Sequence, residues 1–176
     1  MSENNGKLLI ITGPSGSGKT SLAKHAAEQL GWQHFEEDNY WATNEWRNER
    51  RTPERESVIQ QQVFSDVLNI YKKGGSAVLE FILYKASPNP LTNYIDLADT
   101  HDLDYKVVVL RPSSEVILQN IEKRGRSHDL EDLEQTTREV ADQLAHANSS
   151  HINPGWVVDP SGMTVEELYE RITNSL

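Results

Sequence analysis

Short apolar runs alternate with longer amphipathic stretches along the chain. The apolar runs are compact, which favours strands, and they occupy residues 7–12, 31–35, 76–81, 105–110 and 155–158. The amphipathic stretches favour helices and occupy residues 21–30, 53–71, about 91–100, 112–124, 136–147 and 163–172. Because strands and helices alternate, the pattern predicts an α/β fold with a five-stranded parallel sheet and helices on both faces. In such folds ligands bind at the carboxyl ends of the strands.

Two segments fall outside this regular pattern. Residues 36–41 follow the second strand, are rich in acidic and aromatic residues, and are predicted to form a loop. The stretch from the basic segment 123–126 to about residue 135 is charged and has few apolar residues. We therefore expect this second segment to pack loosely.

Residues 13–20, GPSGSGKT, match the phosphate-binding loop pattern G-x-x-x-x-G-K-[ST] between a predicted strand and a predicted helix. Gly16 and Gly18 permit backbone conformations in which N–H groups point at phosphate oxygens, and the helix N-terminus adds partial positive charge. Lys19 is predicted to reach the β- and γ-phosphates of a nucleoside triphosphate, and Thr20 to offer its hydroxyl to Mg²⁺. The predicted nucleotide-binding residues are Gly13, Pro14, Ser15, Gly16, Ser17, Gly18, Lys19, Thr20 and Ser21.

Length and composition narrow the class of protein. With 176 residues, 36% of them hydrophobic, the chain is predicted to form a single domain over residues 1–176. No apolar run is long enough to span a membrane and no secretion signal is present, so we expect a cytoplasmic protein without a membrane partner. The absence of cysteine excludes disulfides and thiolate metal sites.

The formal net charge of −10 argues against a nucleic-acid partner, because phosphate backbones select basic surfaces. Basic residues nevertheless cluster in two places, at Arg47, Arg50, Arg51 and Arg55 and at Lys123, Arg124 and Arg126. Such clusters in an acidic molecule suit a small anionic ligand. The first cluster is equally compatible with a solvated helix face.

With this loop and this order of elements, the chain resembles the P-loop small-molecule kinases. These include nucleoside and nucleotide kinases, shikimate and gluconate kinases, and antibiotic phosphotransferases. Only the phosphate-binding loop is a specific match, and the rest of the chain is similar in organisation. The resemblance implies a P-loop NTPase fold, ATP and Mg²⁺ as cofactors, and a small-molecule phosphoryl acceptor. It also implies a substrate-binding helical region at about residues 39–73 and a short lid at about residues 124–135.

Asp38 is the candidate for the group that meets the acceptor hydroxyl. The run Asp38-Asn39-Tyr40-Trp41 resembles the Asp-x-aromatic-aromatic turn of uridine-kinase-like proteins. Phosphoryl transfer needs a group that orients the acceptor and takes its proton, and either neighbouring glutamate, at position 36 or 37, is an alternative to Asp38. The two aromatic side chains either stack on the substrate or belong to the core. Glu80 ends the run 77–80 of the third predicted strand. It either holds Mg²⁺ through water, binds the substrate, or is a solvated residue at the end of the strand.

Arg124 and Arg126 flank Gly125 as arginines do in the lids of nucleotide and deoxynucleoside kinases. The resemblance implies that they stabilise the charge on the transferring phosphoryl group, although cations are also favourable at a helix C-terminus for structural reasons. The loop at 159–162 is implied to lie near adenine. The function expected is transfer of the γ-phosphate of ATP to a hydroxyl or phosphate of a small molecule, such as a nucleoside or nucleotide. A sugar-, shikimate- or antibiotic-directed kinase and an NTP-hydrolysing regulatory protein are the alternatives, although no guanine-specifying Asn-Lys-x-Asp motif occurs.

Overall fold

A computed structural model of the protein describes residues 6–47, 49–125, 127 and 131–174. Five parallel strands form one sheet in the order β2-β3-β1-β4-β5. Their bounds are β1 Lys7–Gly13, β2 Gln33–Glu36, β3 Ala77–Ile82, β4 Asp104–Leu110 and β5 Val157–Val158. The predicted five-stranded parallel sheet is confirmed.

Helices connect the strands in the described part of the chain. They are α1 Lys19–Leu30, α2 Glu37–Thr43, α3 Pro53–Tyr71, α4 Pro90–Thr100, α5 Ser114–Arg124, α6 Leu133–Ala147 and α7 Val165–Thr173, with a 3₁₀ turn at Pro154–Trp156. Several begin at caps visible in the sequence, as where Thr52 accepts a hydrogen bond from the Arg55 amide ahead of Pro53. None of these helices is long and apolar enough to cross a membrane.

The sheet is covered on both faces, as predicted. Alternating residues of β1 point to opposite sides, so Leu9 and Ile11 pack with α1 and α7, whereas Leu8 and Ile10 pack with α3 and α4. The carboxyl ends of β1, β2 and β3 therefore meet at one edge, directly before α1 and α2. In the register of these strands, Glu80 lies opposite Ile11 on one side and Glu36 on the other.

The prediction of a loop at 36–41 is wrong, because α2 begins at Glu37. The Asp38 carboxylate in its first turn interacts favourably with the helix dipole, and Trp41 anchors the helix in the core with 2% of its surface exposed. The start of the fifth predicted helix, expected at residue 136, also moves: this helix is α6 and begins at Leu133, since Asp132 caps it by accepting a hydrogen bond from the Gln135 amide at 2.9 Å. The fifth strand is shorter than predicted, because a 3₁₀ turn precedes it.

Candidate nucleotide and acceptor site

The phosphate-binding loop joins β1 to α1. Gly16 and Gly18 adopt left-handed conformations with φ of 77° and 89°, which strain any residue that has a side chain. A Cβ atom on Gly16 would lie 2.9 Å from the Ile117 carbonyl oxygen of α5, so close packing requires glycine there as well. Gly18 is the N-cap of α1 and offers no side-chain cap to the first-turn amides. These amides are therefore suited to bind an anion.

Side chains from α5 and α6 hold the loop from outside. The Ser15 amide donates a hydrogen bond to Gln143 Oε1 of α6 at 2.8 Å, and Asn120 Nδ2 of α5 donates to the Gly16 carbonyl oxygen at 3.0 Å. Arg124 Nη2, at the end of α5, lies 3.5 Å from Ser15 Oγ. Two helices distant in sequence thus fix the position of the loop.

Lys19 is the cation around which the other charged side chains of the site lie. It is the first residue of α1 and is 9% exposed, and burial lowers the pKa of its ammonium group. The negative charges of Glu80, Asp38 and Glu36 oppose that decrease. The positive charge of Arg124 adds to it. The structure therefore brings the predicted residues Asp38, Glu80 and Arg124 together around Lys19.

Glu80 lies near the carboxyl end of β3, two residues before Ile82, and is 1% exposed. Its Oε1 atom lies 3.1 Å from His34 Nε2, whereas Oε2 is buried and has no hydrogen-bond partner among the described residues. A buried carboxylate oxygen without a donor is unfavourable unless water or a cation satisfies it. Glu80 is therefore suited to hold a hydrated cation beside the phosphate-binding loop, and it is not a solvated strand end.

Asp38 lies in the first turn of α2 with 34% of its side chain exposed, so it is accessible to a ligand. Its Oδ1 atom lies 3.4 Å from Arg51 Nη2. Arg51 donates a hydrogen bond to the Tyr84 hydroxyl, lies 3.8 Å from Glu56 Oε1, and stacks over the Trp41 ring at 4.4 Å. A guanidinium held from several directions fixes the orientation of the carboxylate beside it.

Glu37 faces the core. It is 1% exposed, accepts hydrogen bonds from the Tyr94 hydroxyl at 2.7 Å and from Trp41 Nε1 at 3.4 Å, and burial raises its pKa to about 7. The Trp41 ring belongs to the same core, so the ring would have to move in order to stack on a substrate. Tyr40 donates a hydrogen bond to Asp66 of α3 at 2.7 Å, so its hydroxyl is turned toward α3.

Two further predictions concern residues at the borders of the site. Arg126 lies outside the described residues, and α6 already includes residues 133–135 of the predicted lid. Asp159, after β5, accepts a hydrogen bond from the Ser161 amide at 2.9 Å, and hydrogen bonds from Ser161 lower its pKa. Its proposed position near adenine stays a prediction.

A cavity of about 450 Å³ opens beside the carboxyl end of β3, which is where ligands bind in folds of this class. Its walls come from the segment before α3, the end of β3 and α6. They consist of Arg51, Ile82, Tyr84, Lys85, Glu139, Asp142 and Gln143. Two of these residues also contact groups described above, since Arg51 holds Asp38 and Gln143 holds the loop. We call this space the acceptor cavity.

Comparison with known proteins assigns the chain to a family. A family model described as an AAA domain matches residues 8–149. A comparison with curated protein sequences finds no match.

Solved structures of kinases and of a resistance protein share the fold over nearly the full chain. A tunicamycin resistance protein from Deinococcus radiodurans has a TM-score of 0.69 at 13% identity, covering 96% of this chain and 94% of the other. A gluconokinase from Sinorhizobium meliloti has a TM-score of 0.67 at 15% identity, covering 97% and 90%. A sugar kinase from a Janibacter species has a TM-score of 0.66 at 22% identity, covering 94% and 91%. The chain therefore belongs to the AAA domain family, and its fold is that of the P-loop small-molecule kinases.

Proposed function

We propose that this protein is an ATP-dependent kinase that transfers the γ-phosphate to a hydroxyl group of a small molecule. One observation carries the proposal: the Lys19 ammonium of the phosphate-binding loop interacts electrostatically with Asp38, an accessible carboxylate held by Arg51, and Arg51 itself lines the acceptor cavity. A phosphate-binding side and an acceptor side thus adjoin at one point. Kinases need this arrangement, since their catalysis depends mainly on positioning and electrostatic stabilisation.

On the phosphate side, the uncapped amides of α1 and the Lys19 ammonium bind the phosphates of ATP. Lys19 and Arg124 provide positive charge for the transferring group. The residues present fit Mg²⁺, because Thr20 offers a hydroxyl in the first turn of α1 and Glu80 has an unsatisfied buried oxygen. These two residues would hold the ion, Glu80 through water, while phosphate oxygens and water complete its shell. Bound Mg²⁺ neutralises charge on the phosphates.

On the acceptor side, Asp38 accepts a hydrogen bond from the acceptor hydroxyl and takes its proton as the oxygen attacks the γ-phosphorus. A bond forms between the acceptor oxygen and the γ-phosphorus, and the bond from that phosphorus to the β–γ bridging oxygen breaks, so ADP leaves. Arg51 keeps the Asp38 carboxylate oriented throughout this step. General-base assistance of this kind accelerates a reaction by roughly 10²–10⁴-fold.

The test is ADP release from Mg²⁺-ATP with panels of nucleosides, nucleotides, sugars, sugar acids and antibiotics. The panel includes the compound classes that appear in the names of the structurally similar proteins. We expect one class to stimulate ADP release and to yield a phosphorylated product by mass spectrometry. Release of ADP at the same rate without any acceptor would instead favour an NTP-hydrolysing regulatory protein.

Matched carboxylate variants then identify the base. Asp38→Asn is nearly isosteric but cannot take the proton, so kcat is expected to fall by about 10²-fold or more while ATP binding persists. Glu36→Gln is the control, because Glu36 also lies near Lys19 but ends β2, where Asn39 donates a hydrogen bond to it at 3.4 Å. If Asp38→Asn is mild and Glu80→Gln abolishes transfer, the base lies on β3 and the role of Asp38 is wrong.

A further inference from the structure

A second and larger cavity adjoins the acceptor cavity. Its volume is about 990 Å³, and it lies between α4, the end of α6 and the 3₁₀ turn before β5. Lys85 and Asp142 line both spaces, so the two meet at these side chains. We call this second space the distal cavity. The reaction described above uses none of its other residues.

The distal cavity has an apolar floor and a polar rim. Leu91, Ile95, Ile152 and Trp156 form the floor and pack with the main core beneath the sheet. At the rim, His146 Nε2 and Asn89 Nδ2 lie 3.2 Å apart. Apolar walls with a few polar groups are typical of sites that bind drug-sized organic molecules.

The polar groups of the rim suit an uncharged ligand. Burial lowers the pKa of His146, so its ring is neutral at pH 7 and able to donate or accept a hydrogen bond. Ser149 Oγ is buried at the same cavity and has no hydrogen-bond partner among the described residues. Lys85 and Asp142 carry opposite charges where the cavities meet. The rim thus provides hydrogen-bonding groups, and it has no net charge that would favour an ionic ligand.

We infer that the phosphoryl acceptor is an amphipathic molecule of two parts. Its hydroxyl-bearing part occupies the acceptor cavity next to Arg51, the partner of Asp38, and an aryl or alkyl part extends past Lys85 and Asp142 into the distal cavity. The inference rests on the proposed kinase function and specifies its substrate class. A bare sugar or nucleoside fills the acceptor cavity alone and leaves the apolar floor exposed to water. Binding energy from a remote, non-reacting group of the substrate improves kcat/KM when that group is placed in such a cavity.

Matched pairs of acceptors test this substrate class. Adenosine is compared with N6-benzyladenosine, and glucose with phenyl β-D-glucoside, by ADP release under identical conditions. The aryl member of the productive pair is expected to have a kcat/KM about 10-fold or more higher, as burial of an aromatic group provides. Equal kcat/KM values within every productive pair would overturn the inference and leave the kinase proposal intact.

Two alanines one turn apart on α6 provide a matched set of variants. Both are exposed, but only Ala145 lines the distal cavity, so a tryptophan introduced there fills it. Ala145→Trp is expected to remove the advantage of the aryl compound, whereas Ala141→Trp keeps it. Thr92→Trp fills the cavity from α4 and serves if Ala145→Trp fails to fold, as judged by circular dichroism. The same effect from Ala141→Trp and Ala145→Trp would contradict the inference.

A binding measurement distinguishes the failure of this inference from failure of the proposed function. The uncharged apolar dye N-phenyl-1-naphthylamine is titrated without ATP, and its fluorescence is recorded under direct excitation of the dye, because the variants differ in tryptophan content. Native protein and Ala141→Trp are expected to bind the dye alike, and Ala145→Trp about 5-fold or more weakly, because the apolar floor is then covered. If Ala145→Trp does not change dye binding, the distal cavity is not an apolar binding site. The inference then fails whether or not any compound releases ADP. Absence of ADP release with every compound contradicts only the kinase proposal.

Discussion

Replacement of Glu37 by glutamine should change how stability depends on pH. Glu37 is enclosed by the core and accepts hydrogen bonds from Tyr94 and Trp41. Glutamine keeps an acceptor for the Trp41 indole and can donate to the Tyr94 hydroxyl, which can act as donor or acceptor. The substitution therefore removes the ionisable proton while the packing and both contacts are retained.

The magnitude follows from the pKa of this carboxyl. Burial raises it from 4.5 to about 7, and the difference corresponds to roughly 3 kcal/mol, since one pKa unit is worth about 1.4 kcal/mol. Below pH 4.5 the group is protonated in both states. As pH rises from 4.5 to 7, the unfolded chain loses the proton and the folded protein retains it, so stability falls with pH. About 2 kcal/mol of this loss falls between pH 5.5 and pH 8.

The assay is urea unfolding at a series of pH values, followed by tryptophan fluorescence. Other titrating groups are common to both proteins, so the difference in free energy of unfolding isolates Glu37. Glu37→Gln is expected to gain about 2 kcal/mol relative to native protein between pH 5.5 and pH 8. Glu28→Gln, at an exposed position of α1, is the control and should stay within about 0.5 kcal/mol. A difference for Glu37→Gln that is independent of pH would refute the reasoning, and would indicate that Arg51 keeps Glu37 ionised in the folded protein.

Lys19→Ala is expected to abolish most phosphoryl transfer and leave the circular dichroism spectrum intact, because it removes a charge that faces phosphate; unchanged turnover contradicts this role. Mg²⁺-ATP at about a hundred times its Kd is expected to add about 2.7 kcal/mol to the folded state, and no rise in Tm at millimolar ATP argues against a nucleotide site. Trp41→Ala is expected to lower the free energy of unfolding by about 3–5 kcal/mol in urea, because it empties part of the core. Tyr40→Phe loses one exposed hydrogen bond and should cost about 1 kcal/mol or less, so effects of similar size for both would show that Trp41 does not fill the core.

The regular elements could be predicted because their signals are local. The phosphate-binding loop, the cap and proline at the start of α3, and the β-branched strands each lie within a few consecutive residues. The helix α2 could not be predicted in this way, because it has only seven residues and depends on the burial of Glu37 and Trp41 by distant elements. A short helix of this kind is stabilised by tertiary packing rather than by its own propensity.

The same distinction applies to the candidate site. Lys19 belongs to the loop motif, Asp38 follows the second predicted strand and Glu80 lies near the end of the third, so topology alone places them at one edge of the sheet. Arg51 was one of several arginines in a basic run, and nothing local distinguishes it from its neighbours; its contacts with Asp38 and Tyr84 require the folded chain. Gln143 lies 128 residues from the amide that it binds, and no sequence motif identifies it.

Gln143 connects the phosphate-binding loop to the acceptor cavity. Its side chain accepts the Ser15 hydrogen bond in the phosphate-binding loop and also lines the acceptor cavity. In the proposed reaction, a nucleotide phosphate that accepted the hydrogen bond of the Ser15 amide would release Gln143 to face the acceptor, and an acceptor that engaged Gln143 would release the amide to the nucleotide. Such linkage is reciprocal, so the factor by which ATP changes the affinity for the acceptor equals the factor by which the acceptor changes the affinity for ATP. In the proposed kinase, this one glutamine would couple the binding of the two substrates.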